Sequence, residues 1–195
     1  MTGGNHVQAV VLSAGGNGSV KSTAMAGVAG IALDSTLSDF AVSRRNIDRA
    51  LSHGRIVVIV FVWRDPIDAF IDGVVPRFRD VGRPVTIPTH AATHAGAPRT
   101  LLAIAESYRD KVATIVLENR TGEPPMLRHV EWLRAKPSID EQSLKAKLGD
   151  ELETEVASER LSREAAQRLR HSASSPYGAA HDRIERNLEA PDWPE

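Results

Sequence analysis

The chain has 195 residues, of which 42% are hydrophobic and 25% are charged, a composition typical of a globular protein rather than of a disordered one. No apolar run approaches the roughly 20 residues of a membrane-spanning helix, and the N-terminal MTGGNHVQ has no basic segment before its apolar run. The lack of cysteine excludes disulfides, thiolate catalysis and cysteine-ligated zinc. We therefore expect a soluble, cytoplasmic protein with no membrane partner.

The net charge of −1 conceals an uneven distribution along the chain. Residues 1–138 carry 16 Lys and Arg against 12 Asp and Glu, whereas residues 139–195 carry 8 against 13. A long nucleic acid usually requires a stronger basic stripe than this, so we expect no nucleic-acid partner. The mildly basic front part is better suited to a small anionic ligand.

Short β-rich runs alternate with helical stretches over the first 118 residues. The predicted strands are residues 7–13, 30–34, 56–63 and 113–118, and the predicted helices are residues 21–28, 38–53, 65–75 and 91–109. Residues 77–88 contain one glycine and two prolines and are predicted to form a basic loop. This alternation predicts an α/β fold with a parallel sheet and right-handed crossovers.

The composition changes after Pro137. Residues 139–170 are charged and favour helix, with Leu144, Leu148 and Leu152 repeating every fourth residue. This pattern fits a surface helix that lies against the domain, and it also fits a helix that binds a partner protein. We predict an α/β domain over residues 1–137, able to fold alone, and a charged helical extension and tail over residues 138–195.

The most specific motif is AGGNGSVKST, residues 14–23, between a predicted strand and a predicted helix. In a phosphate-binding loop, glycines let backbone N–H groups surround a phosphate, a lysine contacts the outer phosphates and a hydroxyl binds Mg²⁺. Gly15 begins such a motif and Lys21 and Ser22 complete it, but Val20 stands where the second glycine is expected. The alternative is a glycine-rich turn that binds nothing.

Further segments occur in the order found in the zeta-toxin family of P-loop kinases, which the chain resembles over about residues 7–122. The segment LDSTLSD is similar to the Asp-x-Thr-Leu strand end of the family, and IDRALSHGRIVVIVFVWRDPIDAF is similar to the helix, glycine and strand that close on an Arg-x-Pro turn. The segment PRFRDVGRPV is similar to the arginine-bearing lid. THAATHAGAPRTL and VLENRTG are similar to the next helix and to the last strand with its Asn-Arg turn. The resemblance implies a three-layer P-loop domain that transfers the γ-phosphoryl group of ATP to a nucleotide-sugar, typically UDP-N-acetylglucosamine. It also implies an antitoxin protein as a partner.

The resemblance assigns roles to individual residues. It implies ATP binding, with Mg²⁺ at Ser22, by the loop residues Gly15, Gly16, Asn17, Gly18, Ser19, Lys21, Ser22 and Thr23. It implies that Thr36 lies near the nucleotide-sugar, and that Arg77 and Arg83 reach the transferring phosphate from the lid. Arginine suits that role because its planar guanidinium pairs with phosphate oxygens, although a solvated loop is the alternative for both residues.

Two departures from the family pattern favour a degenerate protein that binds nucleotide or a partner without catalysis. The first is Val20, because a β-branched side chain crowds the tight turn before the helix. The second is the short stretch of ten residues, 24–33, where the family carries a longer insertion with the carboxylate proposed as general base. Asp34 is the nearest substitute for that base, and it is equally suited to a Mg²⁺-shell or turn-capping role.

Two other pairs of residues invite a functional interpretation. His90 and His94 are spaced to share one helix face and to form a metal pair, but no third ligand is evident. We therefore interpret them as part of a polar helix start beside the lid. Trp63 and Trp132 are interpreted as packing residues rather than as platforms for stacking bases.

Overall fold

A computed structural model of the protein describes residues 9–19 and 31–171. The strands are β1 (Ala9–Ala14), β2 (Ile31–Asp34), β3 (Ile56–Trp63), β4 (Val112–Glu118) and β5 (Met126–Arg128), in one sheet of order β2-β1-β3-β4-β5. Strands β1 to β4 are parallel, and β5 runs antiparallel to β4. The α/β fold with a mostly parallel sheet agrees with the sequence prediction, to which the structure adds the unpredicted β5.

The described helices are α1 (Phe40–Ser52), α2 (Pro66–Ala69), α3 (Val75–Val81), α4 (Ile87–Tyr108), α5 (Glu141–Ala157) and α6 (Arg163–Arg170). A π-helical turn, Phe70–Val74, joins α2 to α3, and 3-10 helices cover Arg109–Lys111 and Val130–Ala135. The helix predicted over residues 21–28 lies outside the described residues, as does the acidic end of the chain. None of the helices described is both long and apolar enough to cross a membrane.

The segment predicted as a basic loop, residues 77–88, begins instead as a helix, because α3 continues to Val81. Pro76 lies in the first turn of α3, directly after the π-helical turn, in which the Val75 N–H donates to the Phe70 carbonyl. Gly82 then ends the helix in the left-handed conformation, with φ 69°. Arg77 therefore belongs to a helix, and only Arg83 lies in the connection to α4.

The described part of the chain contains two hydrophobic clusters. The first lies between the sheet and the helices α1 and α4, and includes Ile47, Phe61 and Leu101. The second joins the π-helical turn and the start of α4 to α5 and α6, with Phe70 and Leu148 both fully buried. The helical extension predicted after residue 137 thus shares a cluster with residues of the α/β part.

The connections of the sheet diverge beside β1. From β1 the chain continues to β2 on one side, and from β3 it continues to β4 on the other. The carboxyl ends of β1 and β3 therefore border the point where connections leave in opposite directions. Ligands of open parallel sheets bind at such a point. The segment that follows β1, residues 15–19, is placed there.

Candidate functional site

Residues 15–19 form a glycine-rich loop whose carbonyl groups are held by side chains from three other elements. The distances are 2.9 Å from His94 Nε2 to the Asn17 oxygen, 3.3 Å from Arg64 Nη1 to the Gly18 oxygen, and 3.3 Å from Asn119 Nδ2 to the Ser19 oxygen. Since a carbonyl only accepts, His94 carries a proton on Nε2. The loop conformation is therefore fixed by contacts with α4 and with the ends of β3 and β4.

These carbonyl contacts determine which way the loop amides point. In a trans peptide the C=O and the following N–H point in opposite directions, so the Gly18 N–H is turned away from α4 and His94. The Gly16 carbonyl accepts from the Ser19 N–H at 3.4 Å and from the Ser19 hydroxyl at 2.8 Å, which closes the turn. Of these two amides, the Ser19 N–H is thus used within the turn, and the Gly18 N–H is of the donor type that binds anions at the carboxyl end of a strand.

Close packing requires glycine at three positions of the loop. A Cβ at Gly15, which has φ 139°, would lie 2.4 Å from the carbonyl oxygen of Val62. A Cβ at Gly16 would lie 2.2 Å from His94 Nε2, and a Cβ at Gly18 would lie 2.1 Å from the carbonyl oxygen of Ala69. Gly18 also has φ 78°, a conformation that other residues rarely adopt. The loop thus rests directly on α4 and on the end of α2, and the glycines are needed for that contact whether or not a ligand binds.

Arg64 connects the loop to two further segments. It directly follows β3 and is only 6% exposed. Its Nη2 donates to Asp72 at 3.0 Å and to the Thr121 hydroxyl at 2.7 Å, while Nη1 reaches the Gly18 carbonyl. Among the described residues, its Nε–H has no acceptor. The guanidinium therefore ties the glycine-rich loop to the π-helical turn and to the turn after β4.

His90 and His94 lie on the buried face of α4 rather than at the polar helix start that the sequence predicted. Their ring centroids are 4.2 Å apart, and His90 Nε2 donates to the Pro66 carbonyl at 2.8 Å. Burial, together with the adjacent His94, lowers the pKa of His90 to about 3, so His90 is neutral near pH 7. No third ligand completes a metal site with this pair within residues 9–19 and 31–171.

Glu118, at the end of β4, was not singled out from the sequence. It is 1% exposed and lies 2.9 Å from Arg120, 2.6 Å from Arg128 and 3.7 Å from Lys136. Burial alone would raise the pKa of Glu118, but hydrogen bonds from Arg128 and Arg120 outweigh it and lower the pKa below its usual value. The carboxylate is therefore ionised and anchors the turn that carries Asn119.

The remaining predicted residues are placed as follows. Asp34 ends β2, paired in register with Ser13 of β1, so its backbone lies at the same edge of the sheet as the glycine-rich loop. Thr36 is partly buried, and its hydroxyl hydrogen-bonds with that of Ser38 at 2.9 Å. Arg77 and Arg83 are exposed, on α3 and just beyond it. The predicted positions at Val20, Lys21, Ser22 and Thr23 lie outside the described residues.

Sequence reasoning identified the loop but not the side chains that hold it. Each of these side chains lies far along the chain from the loop residue whose carbonyl it contacts: the separation is 46 residues for Arg64, 77 for His94 and 100 for Asn119. The one available signal was position, because Arg64 and Asn119 directly follow two of the strands predicted for the parallel sheet. Residues at that place in a parallel sheet face the ligand-binding edge.

Neither a search of protein-family models nor a search of curated proteins found a match to the chain. Among solved structures, the chain is similar to one chain of the AvrRxo1-ORF1:AvrRxo1-ORF2 complex, crystallised with sulphate ions. The two are 12% identical with a TM-score of 0.54, over 89% of this chain and 80% of that chain. A likeness at this identity concerns the fold alone.

Proposed function

We propose that the protein is an ATP-dependent phosphotransferase of the zeta-toxin type, which acts in the cytoplasm on a hydroxyl of a nucleotide-sugar such as UDP-N-acetylglucosamine. The observation that carries the proposal is the glycine-rich loop at the divergence between β1 and β3, with three carbonyls held by buried or half-buried side chains. This arrangement supports phosphate binding because these contacts hold the loop backbone, with the Gly18 N–H, in one conformation before any ligand arrives. The order of motifs over residues 7–122 supports the reaction type.

In this proposal each predicted residue has one task. The loop amides and Lys21 bind the phosphates of ATP, and Ser22 holds Mg²⁺, which compensates phosphate charge when bound. Arg77 and Arg83 stabilise the charge on the transferred group, and Thr36 binds the nucleotide-sugar. Asp34 accepts the proton of the attacking hydroxyl, whose oxygen forms the new bond to phosphorus as the bond to ADP breaks.

A protein partner of the antitoxin type is part of the proposal. It is supported by the similar solved structure, in which the matched chain belongs to a complex of two proteins. The second candidate function is a degenerate protein that binds nucleotide or a partner without catalysis. Val20 and the short stretch before Asp34 favour it, as does the use of Gly16 and Gly18 for packing against the protein.

The affinity for Mg-ATP distinguishes these two functions. We expect weak binding by the natural chain and at least about tenfold tighter binding by Val20→Gly, since a β-branched residue at a position requiring glycine costs about 1–3 kcal/mol. Calorimetric titration of both proteins measures the difference, with Lys21→Ala in the Val20→Gly background as the control for binding at the loop. Equal affinities in the natural chain and Val20→Gly would remove the main support for the degenerate function.

Turnover tests the reaction itself. Incubation with γ-labelled ATP and a panel of nucleotide-sugars should label one of them, and Lys21→Ala should abolish the labelling. If neither the natural chain nor Val20→Gly labels any sugar while both bind Mg-ATP, the kinase function is wrong and the binding function stands.

The lid arginines give a separate kinetic prediction. If the protein transfers phosphate, Arg83→Ala should lower kcat by about 10²-fold or more, the scale expected when one charge-stabilising group is lost. Arg45→Ala, an exposed arginine on α1, serves as the matched control and should leave kcat unchanged. Equal rates in Arg83→Ala and the natural chain would exclude Arg83 from the mechanism.

A further inference from the structure

A cavity lies on the side of α4 that does not contact the glycine-rich loop. Its volume is about 160 Å³, and it is bounded by α4, the 3-10 helix Val130–Ala135 and residues 136–139. On α4 it is lined by Ala95, Arg99 and Leu102, which share one helix face. His94, which contacts the loop, is one residue away from Ala95 and so points about 100° around the helix. The cavity is therefore separate from the proposed phosphate site.

The walls of this cavity are apolar and aromatic. Trp63 forms one wall, and its ring packs edge to face on Trp132 with centroids 5.3 Å apart. The other apolar lining residues are Ala95, Pro98, Leu102, Leu133, Pro137 and Ile139. Such a surface favours a flat, apolar ligand, because aromatic faces gain from stacking as well as from burial.

The polar lining of the cavity is cationic. It consists of Arg99, Arg134, Lys136 and Ser138, and no acidic residue lines it within the described part of the chain. Arg134 is paired with Glu131 at 2.6 Å, whereas Arg99 donates through Nε to the Ala95 carbonyl and has no acidic partner among the described residues. At least one positive charge beside the cavity is therefore uncompensated.

Lys136 adds to this charge. Its Nζ lies 4.3 Å and 4.2 Å from the ring centroids of Trp63 and Trp132, and 3.7 Å from Glu118. Glu118 is also paired with Arg120 and Arg128, and Arg120 is in addition paired with Glu123 at 3.8 Å. Because Lys136 and Arg99 both line the cavity, an anion inside it would be attracted to both.

From size, lining and charge together, we propose that this cavity binds a small aromatic carboxylate, with its ring against Trp63 and its carboxylate toward Arg99, Lys136 and Ser138. A cavity of about 150 Å³ accommodates one benzene ring, so the ligand is of the size of benzoate rather than of a nucleotide. The proposal is independent of the phosphotransferase function, because it uses none of the residues assigned to that reaction.

The test compares three probes of similar shape and different charge: benzoate, benzyl alcohol and benzylamine. The chain has three tryptophans, and the indole N–H signal of Trp63, assigned with Trp63→Phe, reports the cavity in two-dimensional NMR spectra. We expect benzoate to shift this signal with a Kd at least about tenfold below that of benzyl alcohol, and benzylamine to have no effect up to about 10 mM.

Substitutions of lining residues test which side chain gives the cavity its preference for a carboxylate. Arg99→Gln should weaken benzoate binding about tenfold and leave benzyl alcohol unchanged, while the exposed control Arg45→Gln should change neither. An unchanged indole spectrum shows that Arg99→Gln is folded, and Ser138→Ala, with a smaller expected loss, provides the same test should Arg99→Gln not fold. The proposal is overturned if benzoate does not shift Trp63 at about 10 mM, if benzoate and benzyl alcohol bind equally, or if the folded variants bind benzoate like the natural chain.

Discussion

Replacing Gly18 with alanine is expected to destabilise the protein by at least about 3 kcal/mol. The new Cβ would lie 2.1 Å from the Ala69 carbonyl oxygen and 3.0 Å from its carbon, on a backbone with φ 78°. Because these atoms are backbone, no side-chain rotation can relieve the clash. The loop would have to leave the end of α2, which breaks the hydrogen bond between Arg64 and the Gly18 carbonyl.

Gly82→Ala is the matched control for this experiment. Gly82 has nearly the same backbone conformation, with φ 69°, but a methyl group there would have no described atom beyond its chain neighbours within 4 Å. Alanine at Gly82 therefore carries only the cost of the left-handed conformation, about 1 kcal/mol. Urea unfolding of both variants should show Gly18→Ala to be less stable by about 2 kcal/mol or more. Equal losses would mean that the loop does not depend on its contact with Ala69.

The parts of the fold that were predicted correctly are those with a strong local signal. Strand β3 is a continuous apolar run of eight residues, and its observed bounds, Ile56–Trp63, are the predicted ones. Asp65 caps α2 through the Ile67 N–H, with Pro66 in the first turn, as predicted. Both signals act within a few residues, so tertiary packing does not need to be known.

The errors have local explanations as well. Proline and glycine around residues 76–82 favour a loop in the sequence, but Pro76 lies in a first turn and Gly82 at a helix end, where both residues are favourable. Strand β5 has only three residues, and Leu127 is 70% exposed, so it shows no alternating burial pattern. Its pairing with β4 is a tertiary contact that the sequence does not indicate.

The candidate site was predictable in outline and not in detail. A glycine-rich segment after a buried strand indicates a loop at the carboxyl edge of a sheet, and that is where the structure has it. The donors to its carbonyls come from distant elements, and a histidine on a mostly apolar helix gives no sign of its partner. The spacing of His90 and His94 showed that they share a face, but not that this face is buried against the loop.

Removing residues 138–195 is expected to abolish cooperative unfolding, contrary to the sequence-based expectation that the first part of the chain folds alone. In the structure, Leu144, Leu148 and Leu152 of α5 are at most 5% exposed and pack on the π-helical turn and on α4. Burying each such side chain contributes about 1.5–3 kcal/mol. The three leucines together therefore contribute a large part of the free energy of unfolding of a typical domain, which is about 5–15 kcal/mol. Thermal unfolding followed by circular dichroism measures the effect.

A point variant tests the same cluster without removing chain. Leu148→Ala should lower the free energy of unfolding by about 2–5 kcal/mol, because Leu148 is fully buried in the second hydrophobic cluster and its loss leaves a cavity there. Leu127→Ala, at the exposed position on β5, is the matched control and should change stability by less than about 0.5 kcal/mol. If Leu148→Ala is as stable as Leu127→Ala and the truncated chain unfolds cooperatively, α5 is a surface helix and the α/β domain is self-sufficient, as the sequence alone suggested.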